Sequence, residues 1–327
     1  MTTSVGAITI ERTGGPEVLS WGRRDLPPPG PGQVRVRHTA VGVNYIDTYH
    51  RSGLYPVPLP SGLGLEAAGI VEETGPEVTA LKAGDRVAYG TGPIGAYSEA
   101  ANCPADRVVP VPDGITDDMA AAIMLKGMTV QYLLRRTYPV KAGDTILVHA
   151  AAGGVGLLAC QWAHHLGATV IGTVGTDEKA ALAAQNGCHH PIVYTRDNVV
   201  ERVKELTGGA GVPVVYDGVG KDTWDMSLDC LKPRGLMVSF GNASGAVPSI
   251  SVGDLSAKGS LFLTRPTLFH YTMTPEDLKE TADDLFAVIL AGAVKVSILQ
   301  TYSLAEARTA HEDLEARKTT GATLLRP

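Results

Sequence analysis

The spacing of apolar residues changes near residue 126. Before that point they come in short β-branched runs at residues 34–37, 69–71 and 86–88. Between them lie clusters of Gly and Pro, such as Pro27-Pro28-Pro29-Gly30-Pro31-Gly32 and the stretch 56–64. Runs this short, bounded by turn residues, predict an irregular and mostly antiparallel β domain.

After Lys126 a different grammar begins. Thr145-Ile146-Leu147-Val148 reads as a buried strand. Val155, Leu158, Ala159, Trp162, Ala163 and Leu166 then follow the i, i+3, i+4, i+7 stripe of a helix lying on a sheet. Gly167 ends that helix, and residues 168–174 form a second strand. Further strands are predicted at 192–194, 212–217, 236–240 and 261–264, with helices at 177–186, 198–206 and 223–231. Strand and helix in alternation imply an α/β fold with a doubly wound parallel sheet of the Rossmann type. The tail predicts helices at 275–291 and 304–317 and a strand at 323–325, packed back on the first domain. The domain expectation is therefore 1–126 plus 267–327 for the β domain and 127–266 for the parallel sheet.

Composition narrows the class. A chain of 327 residues is long for one core and suits two domains. With 44% hydrophobic and 19% charged residues it reads as globular. The net charge of −6 argues against a dedicated nucleic-acid binder, although a local basic patch stays open. The N-terminus lacks the basic and apolar regions of a signal peptide. No apolar stretch approaches the ~20 residues of a membrane span. Cys103, Cys160, Cys188 and Cys230 are scattered without a CxxC pair, so reduced thiols and a cytoplasmic location are expected.

The strand at 145–148 runs into His149-Ala150-Ala151-Ala152-Gly153-Gly154-Val155-Gly156. A glycine turn between a strand and an amphipathic helix lets the backbone approach a pyrophosphate, which the helix N–H groups and dipole then bind. Gly153 and Gly154 leave room for the phosphate, Val155 opens the helix, and Gly156 allows close packing. Ala151 replaces the usual first glycine of GxGxxG. A dinucleotide site follows.

The second strand decides which dinucleotide. NAD sites carry an acid about 20 residues on, against the ribose 2′-OH. Here the strand ends in Val174-Gly175-Thr176 with no carboxylate at its tip. Gly175 gives space, Thr176 a hydroxyl and Lys179 a partner for a 2′-phosphate, while Tyr194 is able to cover the adenosine end. This favours NADPH. The competing reading makes Asp177 or Glu178 the ribose acid; their other role is to complement the helix dipole.

These residues together resemble a known family. Gly14-Gly15-Pro16-Glu17-Val18-Leu19, Asn44-Tyr45-Ile46-Asp47-Thr48-Tyr49, Gly64-Leu65-Glu66-Ala67-Ala68-Gly69, Ala83-Gly84-Asp85-Arg86-Val87 and the phosphate loop are similar to the quinone oxidoreductases, the zeta-crystallin-like branch of the medium-chain dehydrogenase/reductase superfamily. The likeness spans the whole chain. It implies a GroES-like catalytic domain beside the Rossmann domain, and hydride transfer from NADPH to a quinone. Zinc-dependent members place a Cys ligand at Asn44 and a His ligand at Leu65, so no metal is expected. A quinone needs no Lewis acid, because its conjugated carbonyls accept electrons readily; proximity to the nicotinamide is the main requirement.

The resemblance also implies site residues. Asn44, Tyr49, Tyr55 and Arg265 would flank the acceptor in a cleft between the domains, with Asn44 also near the cofactor. For both tyrosines packing is the alternative role, and for Arg265 an ion pair. Thr129 would lie near the nicotinamide, Asp217 and Val219 at the fourth strand tip, and Phe240, Gly241 and Asn242 at the fifth. Arg317 would reach a cofactor phosphate. A homodimer is expected through the apolar edge strand Leu261-Phe262-Leu263-Thr264. Two alternatives stay open: reduction of another conjugated acceptor such as an enone or alkenal, and an RNA-binding or structural role.

Overall fold

The computed structural model describes residues 2–247 and 249–327. The chain forms two compact units. Unit 1 comprises Met1–Met128, Thr272–Leu290 and Val296–Pro327; unit 2 comprises Thr129–Tyr271 and Ala291–Lys295. The short return of 291–295 to unit 2 has a local cause. The Gln161 side chain donates to the Lys295 carbonyl at 3.1 Å and accepts from Lys295 N at 2.8 Å.

Unit 1 is built from strands β1 (Thr3–Ile10), β2 (Ser20–Leu26), β3 (Gln33–Val43), β4 (Ser61–Gly62), β5 (Ala67–Thr74), β6 (Arg86–Tyr89), β7 (Ala100–Pro104) and β8 (Val109–Pro110). Helix α1 (Tyr45–Ser52) follows β3, and helix α2 (Asp117–Tyr132) carries the chain into unit 2. The larger sheet is mostly antiparallel, and β3 is its centre, pairing with β5 and β7. Ile8, Val34, Val36, Leu63, Tyr89 and Tyr97 belong to the core it covers.

Unit 2 alternates as the hydrophobic pattern predicts through β9 (Thr145–Val148), α3 (Gly154–His165), β10 (Thr169–Val174), α4 (Asp177–Gln185), β11 (His190–Val193), α5 (Val199–Leu206), β12 (Val212–Asp217), α6 (Trp224–Asp229) and β13 (Leu231–Ser239), and adds two short helices that the pattern does not predict, α7 (Val252–Ala257) before β14 (Phe262–Thr264) and α8 (Leu268–Tyr271) after it. The strands form a six-stranded parallel sheet in the order β11-β10-β9-β12-β13-β14. The order reverses between β9 and β12, and ligands of such sheets sit outside the strand ends at that switch.

The tail returns to unit 1 as α9 (Pro275–Leu290), β15 (Ile298–Ser303), α10 (Ala307–Glu315) and β16 (Ala322–Arg326). Strand β16 pairs with β3, Leu324 opposite Gly42. Several elements differ from expectation. Strand β13 starts at Leu231 rather than 236, because Pro233 and Gly235 read as breakers although the strand runs through them, with Arg234 at φ 61°. The helix expected at 304–317 is a 3₁₀ turn, Leu304–Glu306, followed by α10 ending at Glu315. Helices α1 and α2 are absent from the expected elements; α2 contains Ala120, Ala121, Ala122, Ile123 and Met124, all buried, so it presents no polar face there.

Among the described residues no helix is long and apolar enough to cross a membrane. The four cysteines are buried and unbridged.

Candidate active site

In unit 1 the polar centre forms where β3 passes into α1. Asn44 precedes α1, and its N–H donates to Asp47 Oδ2 at 2.9 Å. Its side-chain amide donates to Glu66 Oε2 at 2.8 Å. Glu66, fully buried at the start of β5, accepts twice more: from Leu125 N at 2.7 Å on Oε1, and from Lys126 Nζ at 2.9 Å on Oε2. Gly42 makes this approach possible, because a Cβ there would overlap Glu66 Oε2 and the Ala121 carbonyl. Glycine in β3 thus admits both the carboxylate and α2.

Lys126 has no counterpart in the sequence expectations. It lies in a nearly apolar helix, and its partner is 60 residues earlier. Among the described residues its ammonium makes one hydrogen bond, to Glu66. A buried ammonium offers three donors, so two point elsewhere.

This donor set does not fit zinc. Asn44, whose amide donates to Glu66, and the aliphatic Leu65 offer zinc neither a thiolate nor an imidazole. The Glu66 oxygens are taken by three donors, one of them a cation that would repel Zn²⁺. Among the described residues no three His, Cys, Asp or Glu converge on a metal position. His164, His165, His189 and His190 are exposed, with His164 Nδ1 lying 3.1 Å from His189 Nε2.

Tyr49 lies on α1 and is buried, while Tyr55 in the following loop is half-buried. Their rings meet edge to face, 5.1 Å between centroids. Tyr55 N donates to the Tyr49 carbonyl at 3.0 Å, which locks the pair. Arg317 also belongs to unit 1, just past α10 rather than inside it, in the left-handed region at φ 58°. Its charge acts on Tyr45, whose hydroxyl pKa burial raises and Arg317 opposes.

In unit 2 the loop after β9 has the shape a pyrophosphate requires. Gly153 caps α3 without a side chain, so the first-turn N–H groups of Gly154, Val155 and Gly156 are left for a ligand. A Cβ on Gly156 would overlap the Ala150 carbonyl. The left-handed backbone falls on Ala150, at φ 54°. The loop is braced below by His149, which is buried between Thr173 Oγ1 (2.8 Å) and Ser227 Oγ (3.0 Å).

At the tip of β10, Thr176 accepts from Lys179 N at 3.3 Å and so caps α4. Both acids of the competing reading are engaged. Asp177 receives Arg196 Nη1 on both oxygens at 3.1 Å. Glu178 hydrogen-bonds Thr176, which lowers its pKa. The tip therefore presents Lys179 and Arg196 as well as acids, and Arg196 is a cation that sequence reasoning missed. Gly175 lets the Tyr194 ring lie close over the strand tip, its hydroxyl 2.9 Å from where a Cβ on residue 175 would be.

Asp217, at the tip of β12, is a latch rather than an open acceptor. Oδ1 receives Val219 N (2.8 Å) and Gly220 N (2.9 Å); Oδ2 receives the hydroxyls of Thr223 and Ser227, both at 2.7 Å. Four donors fill a carboxylate. Asp217 thus shapes the Val219 turn. Phe240 N donates to the Asp217 carbonyl at 2.8 Å, and a Cβ on Gly241 would overlap the Gly218 carbonyl. The two strand tips consequently lie together, with Asn242 accepting from Gly245 N. Arg265 Nη1 donates to the Ser239 carbonyl at 2.8 Å. It and Thr129 both act on Tyr132: burial raises that hydroxyl pKa well above the usual phenol value despite the Arg265 charge and the Thr129 hydrogen bond. Arg265 and Thr129 are thus residues of unit 2, whereas Asn44, Tyr49 and Tyr55 are residues of unit 1.

A GroES-like β unit with a buried polar centre, joined to a parallel sheet with a phosphate loop at its switch point, defines a medium-chain dehydrogenase/reductase. Residues 30–113 match the alcohol dehydrogenase GroES-like domain and residues 154–287 the zinc-binding dehydrogenase family. The chain is 60% identical to the quinone oxidoreductase of Pseudomonas aeruginosa over 317 residues, 96% of this chain and 97% of that one. It is 49% identical to a 2-haloacrylate reductase of Burkholderia sp over 331 residues, 99% of each. The crystal structure of Escherichia coli quinone oxidoreductase complexed with NADPH superposes with a TM-score of 0.97 at 52% identity, covering 99% of this chain and 100% of that one. The chain belongs to the quinone oxidoreductase family, and it is an oxidoreductase.

Proposed function

We propose that the protein reduces quinones with NADPH and without a metal. The observation that carries this reading is the Lys126 ammonium, buried against Glu66 beside Asn44. It supplies a fixed positive charge at the polar centre of unit 1. A quinone oxygen gains negative charge as it is reduced. Preorganised N–H donors in a closed site stabilise such charge far better than water does. Lys126 and Asn44 are those donors, and the Tyr49–Tyr55 pair supplies an aromatic wall. Thr129 and Arg265, in unit 2, serve the nicotinamide.

The residues present fit NADPH. The Gly153–Gly156 turn binds the pyrophosphate, and Lys179, with Arg196 beside it, binds the 2′-phosphate. Tyr194 covers the adenine, and Arg317 pairs with a phosphate. When bound, NADPH supplies the hydride. Val219, Phe240, Gly241 and Asn242 line its path along the strand tips. Asp217 holds that path in shape.

A second reading is reduction of an activated alkene, favoured by the 49% identity to a 2-haloacrylate reductase. The same donors would stabilise an enolate. Turnover of a benzoquinone against a haloacrylate or enone separates the two. A homodimer through β14 is also proposed: that strand is the sheet edge, and its Phe262 is 61% exposed. Sedimentation at micromolar protein tests it, and a monomer would refute it.

A further inference from the structure

Helix α10 ends on a residue that does not suit its backbone. Lys318 N donates to the Asp313 carbonyl at 3.0 Å and Arg317 N to the Leu314 carbonyl at 3.1 Å. These two bonds close the helix as a Schellman motif, with Arg317 in the left-handed position at φ 58°. Glycine usually takes that position, because a Cβ crowds the backbone there. Residues held in such conformations persist where the surroundings fix them, and they gather at ligand sites.

The surroundings of this turn come from α1. The Tyr45 hydroxyl donates to the same Leu314 carbonyl at 3.0 Å. A carbonyl oxygen has two lone pairs, so Tyr45 and Arg317 N fill it. Tyr45 thus fixes the atom that sets the Arg317 backbone. Further along α1, Arg51 secures the rest of the last turn. Its Nη1 and Nη2 donate to Glu315 at 3.0 and 2.7 Å, and Nη1 also lies 3.0 Å from His311 Nδ1. Arg51 is 2% exposed, so this clamp is internal, whereas Arg317 is exposed. A rigid base therefore delivers a guanidinium to the surface.

The helix dipole does not explain the arrangement. A cation at a helix C-terminus is favourable, but Lys318 supplies one in the same turn, outside the left-handed region, with its Nζ on Asp313 at 2.9 Å.

We propose that Tyr45 is the positioning residue of Arg317: its hydroxyl holds the left-handed turn that presents the guanidinium to a phosphate group of the cofactor. This rests on the reading of Arg317 as a phosphate partner. A guanidinium meets a phosphate through two parallel N–H bonds, so its direction matters as much as its charge. A turn free to swing would keep the charge and lose the direction. The two side chains are neighbours: burial raises the Tyr45 hydroxyl pKa, and the Arg317 charge opposes it.

The test titrates NADPH and NADH by fluorescence into wild type, Tyr45→Phe, Arg317→Ala, Arg317→Gly and the variant that combines Tyr45→Phe with Arg317→Ala. Each is also melted without cofactor. Arg317→Ala should weaken NADPH by about 10- to 100-fold. Tyr45→Phe, which keeps the ring and the Arg317 charge, should weaken it by about 3- to 10-fold. In the Arg317→Ala background Tyr45→Phe should weaken it no further. Arg317→Gly should bind as poorly as Arg317→Ala yet melt at a higher temperature, because glycine adopts the left-handed turn without strain. Loss confined to NADPH puts the guanidinium on the 2′-phosphate, and equal loss of NADH puts it on the pyrophosphate; either supports the proposal. An unchanged affinity in Tyr45→Phe, the same loss with and without Arg317, or Arg317→Gly melting no higher than Arg317→Ala would overturn it. Unchanged NADPH affinity in Arg317→Ala would overturn the phosphate reading of Arg317, and the proposal with it. Turnover enters none of these readouts, so a protein that binds NADPH in this way but reduces no quinone fails the functional reading alone.

Discussion

Lys126 and Glu66 hold the centre of unit 1 as a buried pair. Removing one member of such a pair leaves an uncompensated charge, at a cost of about 3–5 kcal/mol. Lys126→Met should therefore lower the unfolding free energy by that order in urea titrations. Adding Glu66→Gln should restore much of the stability but not the turnover, because the fixed charge is gone. Full turnover in the double variant would remove Lys126 from catalysis. At the cofactor, Lys179→Ala should weaken NADPH by about 10- to 100-fold, the worth of one charge-assisted phosphate contact. NADH should be little affected, and fluorescence titration of both cofactors checks this. The place of Lys179, in the first turn of the helix after the second strand, was legible because the strand and the capped helix both show in the sequence. Lys126 was not, since a lone lysine in an alanine-rich helix means nothing until the fold brings Glu66 to it. Asp217 was legible as a strand-tip residue, but its four hydrogen bonds come from donors whose direction no sequence pattern encodes.

The alternation of β9 to β12 with α3 to α5 could be read almost residue by residue, because each helix shows a stripe and each strand a short apolar run. Elements that bury every side, such as α2, carry no such period. Short elements such as α1 depend on their caps: Asp47 receives Asn44 N at one end, and Gly53 at φ 83° closes the other. The most sensitive joint is the one between β9 and α3. Gly156→Ala would drive a Cβ into the Ala150 carbonyl, and overpacking of this kind costs about 1–3 kcal/mol. The variant should melt earlier and bind both NADPH and NADH less tightly, since it moves the pyrophosphate cradle rather than the 2′-phosphate contacts. A calorimetric melt with cofactor titration would show it, and unchanged affinity for both would argue against this turn as the cradle.

Across the whole molecule, buried titratable groups tie stability to pH. His38 is buried with Nδ1 donating to the Ser98 carbonyl at 2.7 Å, and burial lowers its pKa from 6.5 to about 4. His311 falls to about 3. Both imidazoles stay neutral in the fold and protonate in the unfolded chain, so each contributes stability that is lost as pH falls below about 6.5. Asp47 has the opposite sign: the fold holds its proton up to about pH 7, and its burial disfavours folding as pH rises from 3.8. Two imidazoles against one carboxyl leave a net loss on acidification, about 1.4 kcal/mol per pH unit for each unbalanced proton. Urea unfolding at pH 7 and pH 5 should show lower stability at pH 5, and equal stability would contradict the buried-neutral assignment. The two-unit α/β architecture was legible because the hydrophobic period changes once along the chain. The polar centre of unit 1 was not, being assembled from α1, β5 and α2. The most direct test of metal-free, NADPH-dependent quinone reduction is steady-state oxidation of NADPH and NADH with 1,4-benzoquinone, with and without a zinc chelator. Turnover that prefers NADPH and ignores the chelator is the predicted result; turnover abolished by the chelator, or absent while NADPH still binds, would contradict it.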